Sequence, residues 1–234
     1  CEYGATDGTL EAAAWESGMD NAIRFDDAMM LKNDGGEDAW SMDQESVDLN
    51  AYLALECKLL KKFSGLLNVS FDAPDYSNKV ADYPKLNFFF DRRLKDGSFI
   101  EEPGCEAYTP LWTQIATQEQ VDKMLPMLQD TAKFSTYIPF PTIAADNPKY
   151  NPRGYWRGPI WLDQTYFAIR GLRNYGYHKL ADEYTLQVFD RLNGLKEGAP
   201  IHENYGTHTG ERLKAPHFSW SSSHLLMMYD DYGK

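Results

Sequence analysis

The sequence is poor in cysteine and contains no long apolar run. Its 234 residues include three cysteines, Cys1, Cys57 and Cys105, and no two of them form a CxxC pair. An odd count without that spacing argues against a disulfide framework and against a thiolate zinc site. No run of about 18 apolar residues occurs, so no membrane-spanning helix is predicted.

Basic residues are also scarce relative to acids. Lysine and arginine number 23 against 35 aspartates and glutamates, which gives a net charge of −12 at pH 7. Binding to a nucleic-acid backbone needs clustered cations, and the longest cluster is the pair Lys61-Lys62 within a helical pattern. The balance therefore argues against a nucleic-acid partner.

Alternating strand patterns of useful length are absent, whereas helical spacing recurs along most of the chain. In residues 40–67 the apolar positions, including Leu49, Leu60 and Phe63, repeat every three or four residues. Ser41 and Gln44 have the spacing of a capping box that would start this helix. We therefore predict an all-α domain of antiparallel helices.

Two segments interrupt the helical pattern. Residues 136–160 hold five of the twelve prolines, and residues 199–216 are bounded by prolines and rich in Gly, Thr and His. Long loops inside a compact domain usually carry function, and the aromatic content here argues against disorder. The alternative is that both loops only cross one end of a helical bundle.

The segment YWRGPIW, residues 155–161, has the residue types of a sugar-binding loop. Tyr155, Trp156 and Trp161 offer flat apolar faces, and Arg157 offers a fork of donors for hydroxyl groups. Gly158 would let the backbone come close to a ligand. Trp161 also falls on an apolar helix stripe, which favours a place in the core.

Three further residues are candidates for contact with substrate. Trp15 lies in the acid-rich segment of residues 14–27, and Trp220 lies near the start of the last helix. Trp220 is equally suited to packing. His202 is equally suited to a hydrogen bond within its own loop.

Glycoside hydrolysis needs two carboxyl groups, one protonated and one ionised. Asp20 suits the protonated role, because Trp15, Met19 and Phe25 would desolvate it and raise its pKa. Glu203 suits the ionised role, because it is predicted in an irregular polar loop. Sequence separation alone does not show that the two meet.

Five segments carry a resemblance to a known family. They are ESGMDNAIRFD, DQESVDLNAYL, NPRGYWRGPIWLDQ, IHENY and FSWSSSHLLMMY, in the family's order. Together they resemble the family-63 glycoside hydrolases, which include processing α-glucosidase I and bacterial α-glucosidases. The resemblance implies an (α/α)6 barrel of six helical hairpins and cleavage of an α-glycosidic bond at a non-reducing end, with inversion.

The resemblance also implies roles for individual residues. The aspartate of the SG-x-D segment is the family's general acid, which corresponds to Asp20, and the glutamate of the ENY-like segment is the general base, which corresponds to Glu203. Arg24 would orient the substrate or the site. An inverting pair should have its carboxyl groups about 6.5 to 9.5 Å apart across a pocket.

A calcium site is a further implication of the resemblance. Some bacterial relatives close a calcium-binding loop with the glutamate of an EYG segment and complete it with the glutamate of QES, which correspond to Glu2 and Glu45. Two ligands are too few for Ca²⁺, which takes about six to eight oxygens. Glu45 is alternatively an ordinary acid in the first turn of a helix.

The chain departs from the family in length. Its 234 residues fit about four of the six hairpins. We therefore expect residues 1–234 to form the C-terminal part of a single barrel, with the N-terminal remainder of that barrel as its partner. A first residue of Cys1 rather than Met agrees with a processed or cut chain.

Three functions remain open from the sequence. The first is an exo-acting α-glucosidase acting on disaccharides or oligosaccharides. The second is a trehalase-like or mannosylglycerate-cleaving hydrolase, since related helical-barrel families have a similar ESG-x-D acid. The third is a carbohydrate-binding helical scaffold without catalysis.

Overall fold

Helices form most of the ordered framework. The computed structural model describes residues 1–34, 39–72, 74, 76, 84–85 and 87–234. This described part contains seven α-helices: α1 (Leu10–Glu16), α2 (Val47–Leu67), α3 (Thr109–Trp112), α4 (Gln118–Leu128), α5 (Leu162–Asn174), α6 (His178–Arg191) and α7 (Ser219–Asp231). Short 3-10 helices span Ile23–Phe25 and Cys105–Tyr108.

Short antiparallel strands accompany the helices, so the all-α prediction was wrong in part. The described strands are β1 (Gly4–Ala5), β2 (Met30–Lys32), β3 (Trp40–Met42), β4 (Gln44–Glu45), β5 (Pro84–Lys85), β6 (Phe88–Phe89), β7 (Arg92–Arg93), β8 (His202–Tyr205) and β9 (Arg212–Pro216). They pair as β1-β3-β2, β4-β7, β5-β6 and β8-β9. Strands of two to five residues are too short for alternation to reveal them in a sequence.

Helix α5 lies at the centre of the helical packing. It packs against α3, α6 and α7, and ten of its thirteen residues are buried. Gly171 permits a close approach of α5 to α3, because a Cβ atom there would lie 2.6 Å from Cβ of Leu111 on α3. Packing against these three helices accounts for the extensive burial of α5.

The start of α2 differs from the predicted capping box. The helix begins at Val47, and Ser41 and Gln44 lie in strands. The amide N–H of Val47 donates to Oδ1 of Asp91 at 2.8 Å, so a distant carboxylate satisfies this helix terminus. The side chain of Gln44 also donates to Asp91, at 3.1 Å. A tertiary contact therefore replaces the local cap.

Among the residues that the structure describes, burial in α2 is confined to its first half. Val47, Ala51 and Ala54 are buried, whereas Leu60 and Phe63 from the predicted apolar stripe are exposed. In the part of the chain that the structure describes, neither α2 nor any other helix has the length and hydropathy needed to cross a bilayer.

Candidate active site

Asp20 is held at the site by the turn that ends α1. Ser17 caps the helix, its hydroxyl donating to the carbonyl of Ala14 at 2.6 Å and accepting from the amide of Met19 at 3.0 Å. Gly18 follows with φ of 73°, a left-handed conformation that favours glycine. The chain therefore reverses sharply and presents Asp20, which is half-buried, just beyond the helix end.

The environment of Asp20 favours its protonated form. Desolvation is the main cause that raises the pKa of Asp20 above its ordinary value. A hydrogen bond from the backbone of Asp20 lowers this pKa, and the charge of Glu203 raises it. Met19 and Phe25, which are near Asp20 in the sequence, are buried as expected. Trp15 is 57% exposed, and shielding of Asp20 by that side chain stays a prediction.

Glu203 lies on a strand rather than in the predicted irregular loop. Strand β8 pairs with β9 around a bulge opposite Glu203, and Lys214 in the bulge has φ of 58°. Bulges redirect groups near active sites. Here the amide of Ala215 donates to Oε2 of Glu203 at 3.3 Å, and Ser221 on α7 donates to its main-chain carbonyl at 2.9 Å.

Tyr155 hydrogen-bonds to Glu203 and lies within range of the charge of Asp20. Its hydroxyl donates to Oε1 of Glu203 at 2.7 Å. Burial is the main cause that raises the pKa of Tyr155. The hydrogen bond to Glu203, the charge of Glu203 and the charge of Asp20 raise this pKa further, in that order. Tyr155 has φ of 68°, an unusual conformation for a residue other than glycine, and such strain is typical of functional sites.

Arg157 holds the loop that carries Tyr155. Its two terminal nitrogens donate to the carboxylate oxygens of Asp26 at 2.6 and 2.9 Å, and one also donates to the carbonyl of Asn21. The Asn21 side chain in turn accepts from the amide of Trp156 and donates to the carbonyl of Gly154, both at 3.0 Å. The structure thus places Arg157 as a clamp between this loop and the Asp20 segment.

The backbone of Gly158 packs closely against another part of the protein, the main chain at Asn151. A Cβ atom at this position would collide with the carbonyl oxygen of Asn151. The amide of Gly158 donates to Thr142 at 2.9 Å, and its carbonyl accepts from Thr207 at 2.8 Å. The glycine therefore lets the loop fold back on itself.

An aromatic cluster lies beside the pair. Trp156 and Trp161 stack with ring centroids 3.9 Å apart, and both are buried. The indole N–H of Trp161 donates to the carbonyl of Tyr155 at 3.1 Å, which supports the core alternative for Trp161. Trp220 is 39% exposed, with its ring 5.5 Å from that of Trp161, and it offers an open aromatic face.

A pocket opens between this cluster and the turn before Asp20. Its volume is about 160 Å³. It is lined by Ser17, Gly18, Met19, Tyr52, Trp156, Asp163, Gln164, Phe167, Trp220 and His224. Asp20, Tyr155 and Glu203 are not part of this lining, but Met19 and Trp156, which are, directly precede Asp20 and directly follow Tyr155 in the chain.

Asp163, Gln164 and His224 were not among the predicted site residues. Asp163 and Gln164 are polar residues inside the apolar run that forms α5, and both are buried. That interruption of an apolar pattern was the available signal, but it does not by itself distinguish a pocket from a satisfied polar core.

Arg24 is not in the lining of this pocket, and its role in orienting the substrate or the site stays a prediction. Its guanidinium is buried and donates to Asp48 at 2.7 and 3.0 Å and to Asp91 at 3.0 Å. Burial raises the pKa of the neighbouring Glu106 to about 8, with Arg24 opposing that shift. Arg24 therefore neutralises a cluster of acids inside the protein.

His202 and Trp15 stand apart from the pocket lining. Nδ1 of His202 lies 3.2 Å from the carbonyl of Leu213 on the paired strand, which matches the loop hydrogen bond considered as its alternative role. Contact between either residue and substrate stays a prediction.

The two predicted calcium ligands lie on neighbouring segments. The amide of Ser46, next to Glu45, donates to the carbonyl of Cys1, next to Glu2, at 3.2 Å. Over the described ranges, however, no three His, Cys, Asp or Glu side chains form a group able to hold a metal. Two carboxylates do not fit a calcium site alone, and calcium binding stays a prediction.

Comparison with solved structures shows the fold. The GH63 mannosylglycerate hydrolase from Thermus thermophilus, solved with Tris, superposes with a TM-score of 0.69 at 21% identity, covering 80% of this chain and 46% of that one. Neutral trehalase Nth1 from Saccharomyces cerevisiae gives 0.73 at 19% identity, covering 96% and 42%. The helical architecture is thus of the kind found in trehalase and family-63 barrels.

Comparison with curated sequences gives partial matches. The chain is 25% identical over 142 residues to a mannosylglycerate hydrolase from Thermus thermophilus, covering 61% of this chain and 33% of the relative. It is 27% identical over 137 residues to mannosylglycerate hydrolase MGH1 from Selaginella moellendorffii, covering 57% and 27%. The matches therefore span about a third of these relatives' length.

A family model supplies the most extensive match. The model for the mannosylglycerate hydrolase MGH1-like glycoside hydrolase domain matches residues 3–221. This range includes Asp20, Tyr155 and Glu203, and the resemblance to family 63 is confirmed. The chain belongs to the MGH1-like glycoside hydrolase domain family, within glycoside hydrolase family 63.

Proposed function

We propose that this protein hydrolyses an α-glycosidic bond with inversion, with Asp20 as general acid and Glu203 as general base. The observation that carries the proposal is that Asp20 lies within range of the charge of Glu203, whose carboxylate accepts a hydrogen bond from Tyr155. The acid must hold a proton at the working pH, and desolvation raises the pKa of Asp20 in the required direction.

The surroundings of Glu203 support the complementary role. The Tyr155 hydroxyl and the Ala215 amide both donate to its carboxylate oxygens. Hydrogen bonds donated to a carboxylate stabilise its charged form, which is the form that accepts a proton from water. Glu203 would thus activate the water that attacks the sugar.

The two carboxyl groups are near enough for their charges to interact, yet within the described residues they share no hydrogen bond. An inverting pair stands about 6.5 to 9.5 Å apart so that a water fits opposite the leaving group. We expect the attacking water to occupy the space between the two carboxyl groups.

Substitution of each carboxyl group tests the assignment. Asp20→Asn and Glu203→Gln should each lower kcat by roughly 10²-fold or more, because proton transfer by a positioned side chain contributes about 10²- to 10⁴-fold. Sugar binding, measured by calorimetry, should persist in both. Asp27→Asn and Glu197→Gln are the matched controls. Each changes an exposed acid and should keep the wild-type rate. Full turnover in either site variant would refute the assignment.

For the substrate, we propose an exo-acting α-glucosidase. A pocket with room for roughly one sugar ring supports exo-action, since a single terminal unit would enter it. The family match favours mannosylglycerate as a second candidate. Comparing kcat/KM of the intact protein for α-linked glucose disaccharides and for mannosylglycerate decides between them.

A further inference from the structure

Asn21, the residue that follows Asp20, binds the main chain on both sides of Tyr155. Its side-chain oxygen accepts from the amide of Trp156, and its side-chain nitrogen donates to the carbonyl of Gly154, both at 3.0 Å. These two groups belong to the two peptide units that flank Tyr155, and the backbone torsions of Tyr155 lie between them. One planar carboxamide therefore restrains the conformation of Tyr155 from both sides.

The backbone conformation of Tyr155 needs such a restraint. Its φ of 68° lies in the left-handed region, which residues with a side chain seldom adopt. A residue stays in that region only where the surrounding contacts hold it there. With its backbone in this conformation, Tyr155 places its hydroxyl 2.7 Å from Oε1 of Glu203. The contacts that hold the backbone of Tyr155 therefore also hold its bond to Glu203.

The loop that carries Tyr155 is closed by a hydrogen bond of its own. The amide of Asn151 donates to the carbonyl of Arg157 at 2.8 Å, so the two ends of the loop are joined. The ion pair between Arg157 and Asp26 anchors one of these ends. Asn21 instead contacts the peptide units next to Tyr155, within the loop. Asn21 therefore ties Tyr155 itself to the segment that carries Asp20.

We infer that Asn21 is a positioning residue that places the proposed base relative to the proposed acid, and that it acts through Tyr155. Asn21 is joined to Asp20 by the chain itself. The Asn21 carboxamide holds Tyr155, and the Tyr155 hydroxyl holds Glu203. An inverting pair needs a defined separation so that a water fits between its members, and this connection restricts how far Glu203 can move from Asp20. The inference deepens the proposed function and rests on it, since it takes these two carboxyl groups as acid and base.

Steady-state kinetics of Asn21→Ala give the first test. The substitution removes both hydrogen bonds to the loop and should lower kcat roughly 10-fold. KM should change by less than about twofold, because the described lining of the pocket does not include Asn21. Asn21 is exposed, so the truncation leaves no buried cavity. Asn174→Ala is the matched control and should keep the wild-type kcat, since its side chain binds main-chain carbonyls on α3 instead. A wild-type kcat in Asn21→Ala, or a loss confined to KM, would overturn the inference.

A double-mutant cycle with Tyr155→Phe tests whether Asn21 acts through the tyrosine. Phenylalanine at this position has no hydroxyl to hold Glu203, so the position of its ring no longer affects the base. Adding Asn21→Ala to Tyr155→Phe should therefore lower kcat by no more than about twofold beyond Tyr155→Phe alone. Losses that multiply to roughly 100-fold would show that Asn21 acts by another route, and the inference would be wrong.

A crystal structure of the intact Asn21→Ala protein gives a readout that needs no turnover. The Tyr155 hydroxyl should move out of hydrogen-bond distance of Glu203, and persistence of that bond would overturn the inference. The same structure separates the inference from the proposed function. If Asp20→Asn and Glu203→Gln keep full turnover but the bond is lost in Asn21→Ala, the catalytic assignment fails and the placement of Tyr155 by Asn21 stands. If both carboxyl variants are inactive but the bond persists, the inference about Asn21 fails alone.

Discussion

The hydroxyl of Tyr155 donates to Oε1 of Glu203 at 2.7 Å, and this bond links the proline-rich loop to strand β8. The same hydroxyl senses the charge of Asp20. One tyrosine with an unusual backbone conformation thus holds the proposed base and lies within range of the charge of the proposed acid.

Tyr155→Phe should lower kcat by roughly 10-fold, with a smaller effect on KM. The substitution removes a hydrogen bond to a charged carboxylate, worth about 1.5 to 3 kcal/mol, and leaves the ring in place. Tyr150→Phe is the control, because Tyr150 lies in the same loop but contacts His208 at 3.2 Å instead. Steady-state kinetics giving equal rates for the two variants would contradict the role of Tyr155.

Arg24→Met should destabilise the fold by about 3 to 5 kcal/mol, because it leaves buried carboxylates without their cation. Asp48 and Asp91 both accept from that guanidinium. Arg153→Met is the control. Arg153 pairs with Glu211 at an exposed site, where an ion pair contributes about 0 to 1 kcal/mol. Urea unfolding measures both, and comparable losses would argue against the buried role.

The free energy of unfolding should decrease with rising pH because of Glu106. Burial raises the pKa of this group to about 8 from an ordinary value of 4.5, with Asp91 adding to the shift and Arg24 opposing it. The native state then binds a proton that the unfolded chain has released. The free energy of unfolding therefore falls as pH rises from about 4.5 to about 8.

Glu106→Gln should flatten this dependence, since the amide does not titrate. Glu197→Gln changes an exposed glutamate and should keep the wild-type slope. Urea titrations at several pH values between about 5 and 9 provide the measurement. Parallel profiles for wild type and Glu106→Gln would show that Glu106 is not responsible.

Gly158→Ala should lower both stability and turnover, because the added methyl group meets the carbonyl of Asn151 and displaces the loop that carries Tyr155. Gly65→Ala is the control. Gly65 lies within α2 with open space where a Cβ would project, and alanine there should stabilise by about 0.5 to 1 kcal/mol. A wild-type rate in Gly158→Ala would show that the loop tolerates the shift.

Helices and local turns were predictable because their causes are local. The helical spacing predicted in residues 40–67 is confirmed, since α2 spans Val47–Leu67 within that range. Ser17 and Gly18 likewise end α1 through their own conformational preferences, which brings Asp20 to the helix end. These features depend on residues within one or two turns of each other.

Features set by distant contacts were not predictable from the pattern. The Asp91 carboxylate at the start of α2 and the inward-facing Arg24 depend on partners tens of residues away. The roles of Asp20 and Glu203 came from the resemblance to family 63, because local pattern cannot show which of 35 acids meet. The position of Asp163 in the pocket lining depends on the packing of α5 against α7, which the sequence pattern does not show.

The stereochemistry of hydrolysis shows whether Asp20 and Glu203 act as an inverting pair. Proton NMR of the first minutes of hydrolysis by the intact protein distinguishes the two anomers of the released sugar before they equilibrate. A water activated by Glu203 opposite the bond protonated by Asp20 gives inversion, so an α-linked glucoside should release β-glucose first. Release of α-glucose as the first product would contradict the account.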